Sequence, residues 1–387
     1  MLLLNVPPPD EIFQLNKEFL VDSRVNKING GIGVFLDNLG NPYVLPAVQK
    51  AIKFLTFSNF NYLPISGEPL FLEESAKLVF GSPHFLEYKE YIAKQAVVGG
   101  TNGLYIWGSA ITDLEPAPKI IIGNPSWENH WNIFTRVGFQ IIRYNHIDND
   151  KKFNYERLKK VLLQHPKTYV LFHGGSTHNP SGINPSQNQW VQLKNILKIT
   201  KNKVLFDFAY MGLGDSIQID RFPITLFLKA KIPLSVIISY SKNMTLYQHR
   251  VGAILTVCSS KNEKEMKEKY FTNVFRIVNS NPPAFGEHIA KTILLSHYLK
   301  EEWIHNMKTM VRNLHQRRNV FARYAGRKFE HVTREKGLYS LLDIGKDQVL
   351  TLRKHYGIYL LLNGRINFGG ISLPDIQKVA KSIREQS

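Results

Sequence analysis

The chemistry that this sequence offers is concentrated in one short segment, Ser239-Tyr240-Ser241-Lys242. The apolar run of residues 232–238 precedes it and predicts a buried strand, and a lysine at the end of a buried strand costs free energy unless it is neutralised or used. The two serine hydroxyls, together with Arg250, suit a phosphate dianion. An amine beside a phosphate clamp is what Schiff-base formation with pyridoxal 5′-phosphate requires. Alone, the segment also fits a surface lysine at a strand end.

Two further segments could bind parts of the same cofactor. Gly99-Gly100-Thr101 follows an apolar run and opens a predicted helix, where backbone N–H groups and the partial positive charge of the helix start favour an anion. Trp127 follows another apolar run, and its indole could stack on a flat heterocycle with His130 behind it. Each segment also has an ordinary structural interpretation, as a helix start or as a tryptophan in a turn.

Polar side chains that could bind a heterocyclic ring follow two more apolar runs. Asn179, in the loop of residues 173–182, could donate a hydrogen bond to a phenolate oxygen. Two histidines in the same loop also allow a metal site, but no cysteine or carboxylate accompanies them. Asp207 ends a predicted buried strand, where an unpaired carboxylate is costly and a protonated pyridine nitrogen would be a matching cation. Tyr210 could then reach the hydroxyl of the ring.

Seven short apolar runs predict the strands that position these residues: 95–98, 119–122, 139–142, 169–172, 204–207, 236–238 and 253–257. Amphipathic stretches such as residues 187–200 separate many of them. Strands that alternate with helices indicate an α/β fold whose mostly parallel sheet is covered on both faces. Functional residues gather at the carboxyl ends of the strands in such sheets, and the candidate residues above follow strand ends.

The pattern changes after about residue 285, and this change predicts two domains. A long helical region is expected from residue 285 to about 324, followed by a smaller mixed α/β segment. We expect a large domain over residues 44–309. Residues 1–43 and 310–387 are expected to form a small domain with an N-terminal arm.

The composition is that of a globular protein from a reducing compartment. The 387 residues are 43% hydrophobic and include one cysteine, Cys258, which excludes an internal disulfide. The net charge of +18 comes from scattered basic residues, and no nucleic-acid-binding motif accompanies them. The sequence has no apolar run of membrane-spanning length, and its start has no signal-peptide pattern. We therefore expect a soluble, cytoplasmic protein that binds neither nucleic acid nor membrane.

The order of these motifs resembles that of the aspartate and aromatic amino acid aminotransferases, which are fold-type I pyridoxal-phosphate enzymes. The resemblance extends from Lys27-Ile-Asn-Gly-Gly-Ile-Gly33 to Arg365. It is carried by Gly-Gly-Thr (99–101), Pro-Ser-Trp-x-Asn-His (125–130), His-Asn-Pro-x-Gly (178–182), Asp-x-Ala-Tyr (207–210), Ser-x-Ser-Lys-Asn (239–243), Ser-Asn-Pro-Pro (280–283) and Gly-Arg-Ile-Asn (364–367). It implies a large domain built on a seven-stranded, mostly parallel sheet, together with a smaller α/β domain.

The resemblance also implies roles for individual residues. Lys242 would bind the cofactor covalently and transfer protons, and Asp207 would pair with the pyridinium nitrogen. Asn179 and Tyr210 would bind the ring oxygen, while Trp127 would stack on the ring. His130 and His178 would lie behind these groups. The residues expected to hold the phosphate are Gly100, Thr101, Ser239, Ser241, Arg250 and, from the other subunit, Tyr62.

The same resemblance implies a homodimer with shared active sites and a ping-pong reaction between amino acids and 2-oxo acids. Arg365 would bind the substrate α-carboxylate, and Arg276, lent by the other subunit, would bind a distal carboxylate. Gly33, Trp127 and Asn179 are also expected to contact the substrate.

The chain departs from the family pattern at two places that bear on function. The loop from His173 to His178 is one residue longer than the usual spacing. Leu36 stands where strict aspartate enzymes usually have lysine, and Pro42 replaces a small polar residue. An apolar pocket mouth would favour aromatic side chains, so we expect both aspartate and aromatic donors, with 2-oxoglutarate as acceptor. The alternatives are a strict aspartate aminotransferase, a pyridoxal-phosphate-dependent C–S lyase and a non-enzymatic basic binding protein.

Overall fold

The seven apolar runs form strands, and the amphipathic stretch of residues 187–200 forms a helix. In this computed structural model, which describes residues 10–56 and 60–386, the strands are β1 (Ile28–Asn29), β2 (Ile92–Val97), β3 (Lys119–Asn124), β4 (Gln140–Asn145), β5 (Tyr169–His173), β6 (Lys203–Phe208), β7 (Leu234–Ser239), β8 (Gly252–Val257), β9 (Tyr339–Leu341), β10 (Ile358–Tyr359) and β11 (Arg365–Asn367). All seven strands predicted for the sheet are present.

The α-helices are α1 (Glu11–Val21), α2 (Pro46–Lys53), α3 (Pro69–Phe80), α4 (Ser82–Tyr88), α5 (Gly99–Leu114), α6 (Glu128–Arg136), α7 (Tyr155–Gln164), α8 (Gln187–Thr200), α9 (Ile217–Asp220), α10 (Phe222–Lys229), α11 (Lys261–Asn279), α12 (Ala284–Leu295), α13 (His297–Ala325), α14 (Lys346–Thr351) and α15 (Leu373–Arg384). Among the described residues, no helix is both long enough and apolar enough to span a bilayer.

The chain divides into two units, residues 44–311 and the described residues of 1–43 and 312–387. The first unit contains a seven-stranded sheet in the order β2-β8-β7-β6-β5-β3-β4. Strand β8 is antiparallel to both of its neighbours, and all the other pairs are parallel. The predicted α/β class with a mostly parallel sheet is therefore confirmed, with one reversed strand.

Large aromatic side chains cover both faces of this sheet. On one face Trp107 of α5 packs edge-on against Tyr169 at a centroid distance of 5.1 Å. On the other face Phe172 packs against Trp190 of α8 at 4.9 Å, and Phe206 packs against Phe227 of α10 at 5.9 Å. Because successive residues of a strand point to opposite faces, neighbouring apolar residues of one strand pack into the layers on both faces of the sheet. The middle strands are thereby fixed from both sides.

The helical region predicted for residues 285–324 consists of two helices. Helix α12 ends at Leu295, and Ser296 has extended backbone angles, φ −81° and ψ 116°. The Ser296 hydroxyl accepts the N–H of Leu299, so this serine caps the start of α13. A serine that can satisfy helix-end donors favours a new helix over a continuous one, and hydrophobic periodicity alone does not show this.

The unit of residues 1–43 and 312–387 is organised around two buried arginines of α13. Arg317 donates hydrogen bonds to the carbonyls of Phe368 and Leu36, and Arg318 donates to those of Gly337 and Tyr339. Burial lowers the pKa of both guanidinium groups to about 10, so both stay charged at neutral pH. Two short sheets, parallel β1–β10 and antiparallel β9–β11, complete this unit.

Hydrogen bonds hold residues 65–68, which precede α3, to two other elements of the large unit, residues 44–311. Gln95 donates to the carbonyl of Ile65 at 2.7 Å. The buried Glu287 of α12 accepts the N–H of Glu68 at 2.8 Å. Burial, and to a smaller extent the charge of Glu68, raises the pKa of Glu287 to about 7.

Glu287 is expected to make the protein less stable as the pH rises from about 4.5 to about 7. In that window the folded state holds a proton that the unfolded state has released, so ionisation opposes folding, by at most about 3 kcal/mol. Glu287→Gln should remove this fall when urea unfolding is compared at pH 5 and pH 8. Burial raises the pKa of Glu263, but hydrogen bonds from Lys267 and Ser259 outweigh it and lower that pKa to about 2. The control Glu263→Gln should therefore leave the difference between the two pH values unchanged. A wild-type stability that does not fall over this window would contradict the prediction.

Candidate active site

One cavity of about 70 Å³ gathers most of the residues singled out in the sequence. Its lining comes from the carboxyl ends of neighbouring parallel strands and from the start of α5. The lining residues are Gly100, Thr101, Trp127, His173, Asp207, Ala209, Tyr210, Ser239, Ser241, Lys242 and Arg250. Nine of these eleven are candidate residues of the sequence analysis, and His173 and Ala209 are additions. Asn179 is buried beside them, and its Nδ2 donates to Tyr210 Oη at 3.3 Å.

The anion-binding end of the cavity is formed by the first turn of α5 and by two serines and an arginine. Ser239 Oγ donates to Ser241 Oγ, and Arg250 Nη1 donates to the same Ser241 oxygen, both at 3.1 Å. Gly99 has a φ of +76°, and a Cβ there would lie 2.6 Å from Arg250 Nη2. Only glycine lets the helix start come this close to the guanidinium group. Backbone N–H groups, hydroxyls and a cation therefore meet at one point.

The turn that carries Lys242 is anchored on both sides of the lysine. The buried Tyr240 shares a hydrogen bond of 2.8 Å with Ser75 Oγ. Asn243 donates to the carbonyl of Met211, and its own carbonyl accepts the indole N–H of Trp303 at 2.7 Å. Lys242 lines the cavity, and its Nζ lies 5.1 Å from the centroid of the Tyr247 ring. These anchors fix the backbone on either side of the amine, which is what precise placement of a nucleophile requires.

A short hydrogen-bonded chain holds one oxygen of Asp207. His130 Nε2 donates to Asp207 Oδ2 at 2.9 Å, and Ser126 Oγ lies 2.8 Å from His130 Nδ1. Burial raises the pKa of Asp207, but His173 and His130 outweigh it, and the pKa stays below its usual value. Among the described residues, the buried Oδ1 of Asp207 has no hydrogen-bond partner. This oxygen lies 3.9 Å from the point that a Cβ on Gly100 would occupy, on the side of the α5 start.

These features fit pyridoxal phosphate. A buried carboxylate oxygen without a donor matches the N–H of a protonated pyridine ring, and the serine–arginine cradle matches a phosphate dianion. Lys242 supplies the amine, Trp127 supplies an aromatic surface, and Asn179 with Tyr210 supplies donors for a ring oxygen. The chemistry of the donor set therefore agrees with each part of the cofactor.

Burial lowers the pKa values of His173, His178 and His146, so these three histidines are neutral supports of the site. His173 Nδ1 donates to the carbonyl of Asn179 at 3.2 Å, and burial lowers the pKa of His173 to about 4. His178 lies 2.8 Å from Ser181 Oγ through its Nδ1. Its ring stacks on His146 at a centroid distance of 3.7 Å. His146, which the sequence analysis did not single out, is thus a further part of this support.

His130, His173 and Asp207 also form the one metal-like grouping among the described residues, with ligand atoms within 4.8 Å of one another. Their atoms already take part in hydrogen bonds: His130 Nε2 binds Asp207 Oδ2, and His173 Nδ1 binds the carbonyl of Asn179. The arrangement is therefore satisfied as a hydrogen-bonded support of the carboxylate.

In the unit of residues 1–43 and 312–387, Arg365 and Gly33 both lie beside Tyr339. The Arg365 guanidinium group is 4.7 Å from the centroid of the Tyr339 ring, and its Nη2 donates to the carbonyl of Gly31. A Cβ on Gly33 would lie 2.6 Å from the Tyr339 hydroxyl. Asn367, two residues after Arg365 on β11, donates to the carbonyls of Ile32 and Val34. The Gly-Arg-Ile-Asn motif therefore fixes the segment that contains Gly33.

Tyr62 and Arg276 lie at the surface of the large unit. The Tyr62 side chain is 88% exposed. Arg276 Nη1 donates to Ser280 Oγ at 2.7 Å and to Asn281 Oδ1 at 3.3 Å. Asn281 also donates to the carbonyl of Leu63, so one amide links the arginine to the segment that carries the tyrosine. The Ser280-Asn281 motif thus orients the Arg276 side chain and holds the backbone next to Tyr62.

A cavity of about 790 Å³ lies at the opposite edge of the sheet, among the first residues of β5, β6 and β7. Its polar groups are paired with one another, since Glu115 accepts the hydroxyl of Tyr169 at 2.7 Å and the amine of Lys203 at 2.5 Å. Its size therefore does not make it the candidate active site, which is marked by chemistry rather than by volume.

Two partners of the predicted site residues carry signals too weak to be found in the sequence. Ser126 falls inside a motif that was recognised for other residues, and Tyr339 stands in a short strand with no distinguishing neighbour. Their importance depends on contacts across the fold, namely Ser126 with His130 and Tyr339 with Arg365.

Comparison with known proteins gives consistent matches along nearly the whole chain. The family model for aminotransferase class I and II matches residues 25–383. The aspartate aminotransferase of Salmonella typhi is 32% identical, and the alignment covers 98% of each chain. A crystal structure of the aromatic-amino-acid aminotransferase from Burkholderia pseudomallei, covalently bound to pyridoxal phosphate, has a TM-score of 0.93 at 31% identity and covers 99% of this chain and 98% of its own. The broad-specificity aminotransferase from Leishmania mexicana has a TM-score of 0.93 at 29% identity, with 99% and 96% covered.

Proposed function

The chain belongs to the class I and II aminotransferase family and is a transaminase, and we propose that it moves amino groups from aspartate and aromatic amino acids to 2-oxoglutarate, using pyridoxal phosphate. In this proposal Lys242 binds the cofactor, Trp127 stacks on its ring, and Asn179 with Tyr210 binds its ring oxygen. The residues that hold the phosphate are Gly100, Thr101, Ser239, Ser241 and Arg250. The single cysteine suits a reducing compartment, and we place the protein in the cytoplasm.

The observation that carries the proposal is the half-satisfied carboxylate of Asp207. Its Oδ2 is held by His130, while Oδ1 is buried and has no hydrogen-bond partner among the described residues. The lysine and the phosphate cradle line the same small cavity. A cationic ring N–H, an aldehyde carbon and a phosphate are the groups that the carboxylate, the amine and the cradle would each bind.

When bound, pyridoxal phosphate supplies an electron-withdrawing ring that makes the substrate Cα–H acidic. The protein then has four tasks. Asp207 Oδ1 keeps the ring nitrogen protonated, and the below-normal pKa of this carboxyl keeps it ionised at neutral pH. Lys242 Nζ moves a proton to and from the substrate Cα. Asn179 and Tyr210 hold the ring oxygen, and Arg365 orients the α-carboxylate of the substrate.

Asp207→Asn should retain bound pyridoxal phosphate and lose roughly a hundredfold or more in kcat, because a neutral amide cannot hold a proton on the ring nitrogen. Asp207→Glu should keep more activity, since it retains the charge. Cofactor content from the visible absorbance and single-turnover rates would measure both effects. Asp113→Asn, at an exposed carboxylate of α5, is the control and should behave as wild type. Near-wild-type rates for both Asp207 variants would show that this carboxylate does not contact the cofactor.

The substrate proposal combines two arginines with an apolar loop. Arg365 and Arg276 suit the two carboxylates of aspartate, glutamate or 2-oxoglutarate. Leu36 is half-buried, and its backbone is fixed by Gly369 and Arg317, so its side chain is presented at a defined position. The relatives include enzymes named for aspartate, for aromatic amino acids and for broad specificity, which supports a dual donor range.

A donor panel tests this range. The wild type should use aspartate, glutamate, phenylalanine, tyrosine and tryptophan with 2-oxoglutarate, and Lys242→Ala should be inactive on all of them. Leu36→Lys should lower kcat/KM for phenylalanine by roughly tenfold and change the value for aspartate much less, because apolar contact with the ring is lost. Leu39→Lys, at an exposed position of the same loop, is the matched control. Inactivity of the wild type on every aromatic donor would identify a strict aspartate enzyme.

We further propose that the active protein is a homodimer whose subunits share their sites. The residues assigned to the neighbouring subunit, Tyr62 and Arg276, are exposed, and Asn281 bonds both the Arg276 side chain and the carbonyl of Leu63, which follows Tyr62. Phe60 and Ile277, next to them in the sequence, are 92% and 75% exposed. Large apolar side chains grouped at the surface around ordered polar ones are typical of an interface between subunits.

Active sites that are shared between subunits predict that two inactive variants complement each other. In a heterodimer of Arg365→Ala and Arg276→Ala subunits, one site lacks both arginines and the other has both. A purified heterodimer should therefore reach about half of the wild-type activity, whereas each homodimer should be nearly inactive on aspartate. Differently tagged subunits allow the heterodimer to be isolated before assay. A verified heterodimer without recovered activity would reject shared sites.

A further inference from the structure

Asp220, the last residue of α9, is a buried carboxylate that lies outside the cavity and accepts four hydrogen bonds. Its Oδ2 accepts the N–H groups of Gly212 at 2.7 Å and Gly214 at 3.1 Å. Its Oδ1 accepts the N–H of Asp215 at 3.3 Å and the hydroxyl of Ser176. The side chain is 1% exposed. Both of its oxygens are thus used by two different loops.

Those two loops carry the pair of residues proposed to bind the ring oxygen of the cofactor. The loop with Ser176 runs from the end of β5 directly to Asn179. The loop of residues 209–215 follows β6 and contains Tyr210. Asn179 Nδ2 donates to Tyr210 Oη at 3.3 Å, so the loops meet at the cavity as well as at Asp220. Asp220 therefore joins the two loops at a point outside the cavity.

The fit around Asp220 leaves no spare room. A Cβ on Gly214 would overlap Ser176 Oγ and would lie 2.5 Å from Asp220 Oδ1. The loop from His173 to His178 has one residue more than the usual family spacing, and Ser176 lies inside it. A longer loop has more conformations to lose, and a bond from its middle to a fixed carboxylate removes that freedom.

The hydrogen-bond donors around Asp220 favour its ionised form. Burial raises the pKa of this carboxyl to about 6, while the hydroxyl of Ser176 and the three backbone N–H groups act in the opposite direction. At neutral pH the group is ionised and accepts all four bonds. Charge-assisted hydrogen bonds of this kind are stronger than neutral ones.

We propose that Asp220 and Ser176 are positioning residues that set the distance between Asn179 and Tyr210, and so determine how well the ring oxygen of the cofactor is bound. This inference rests on the proposed function. Neither residue lines the cavity, so both act through the loops that they join.

The test measures cofactor binding and spectrum rather than turnover. Cofactor-free Ser176→Ala should bind pyridoxal phosphate roughly five- to tenfold more weakly than the wild type, as expected for the loss of one hydrogen bond. The pH midpoint of the visible absorption change of the bound cofactor should move upward. The reason is that hydrogen bonds to the charged ring oxygen favour the less protonated form.

Asp220→Asn and the double variant complete the test. Asp220→Asn should show the same two changes, and adding Ser176→Ala to it should have little further effect, because the bond that Ser176 makes to the carboxylate is already weakened in Asp220→Asn. Ser186→Ala is the matched control. It removes the hydroxyl that caps α8, and it should lower thermal stability without changing cofactor affinity or the pH midpoint.

The outcomes separate the two proposals. Unchanged affinity and pH midpoint in folded Ser176→Ala would overturn the positioning role, even if thermal stability fell. If Asp220→Asn does not fold, Ser176→Ala decides alone, since it removes a single hydroxyl. A wild-type protein that does not bind pyridoxal phosphate would overturn the proposed function and this inference together.

Discussion

Asp207 stands at the end of β6 with one oxygen held by His130 and the other without a hydrogen-bond partner among the described residues. Burying a carboxylate is costly, and leaving one of its oxygens unsatisfied adds to that cost. The carboxylate nevertheless stays in this position, because the strand, His130 and Ser126 leave its side chain little freedom to rotate. A ligand with a cationic N–H would offset the cost on binding. In the proposed function, part of the cofactor affinity therefore comes from desolvation already completed during folding.

The sheet is what makes this arrangement possible. Strands β5, β6 and β7 are parallel neighbours, and Asp207 is in register with His173 on one side and Ile237 on the other. Aromatic layers on both faces hold these strands, so their carboxyl ends are fixed relative to each other. The loops beyond the strand ends are then tied by side chains, as Asn243 does for the lysine turn and Asp220 does for the loops of Asn179 and Tyr210. Precision at the cavity thus comes from the strands first and from these ties second.

The strands could be predicted from the sequence, whereas the side-chain contacts that tie the loops could not. Periodicity and turn residues located all seven strands of the large sheet, and chemistry at strand ends selected nine residues that line one cavity. Contacts between residues that are distant in the chain left no such pattern. The Ser176–Asp220 bond joins residues 44 positions apart, and Tyr339 meets Arg365 from a separate strand. The capping serine that divides α12 from α13 was missed because hydrophobic spacing continues through it.

The buried carboxylates of the large unit show why Asp207, rather than another acid, marks the site. Asp220 has four donors, and Glu287 accepts a backbone N–H and has a pKa raised to about 7. Glu302 has a buried oxygen without a hydrogen bond, but its other oxygen is 2.7 Å from the amine of Lys50. Asp207 contacts histidines instead, and its pKa stays below the usual value. Asp207 is thus an ionised, buried carboxylate that lines a cavity and lacks, within the described part of the chain, a hydrogen-bond donor for one oxygen. In the proposed function, the ring N–H of the cofactor supplies the missing donor, and this accounts for an unsatisfied oxygen on Asp207.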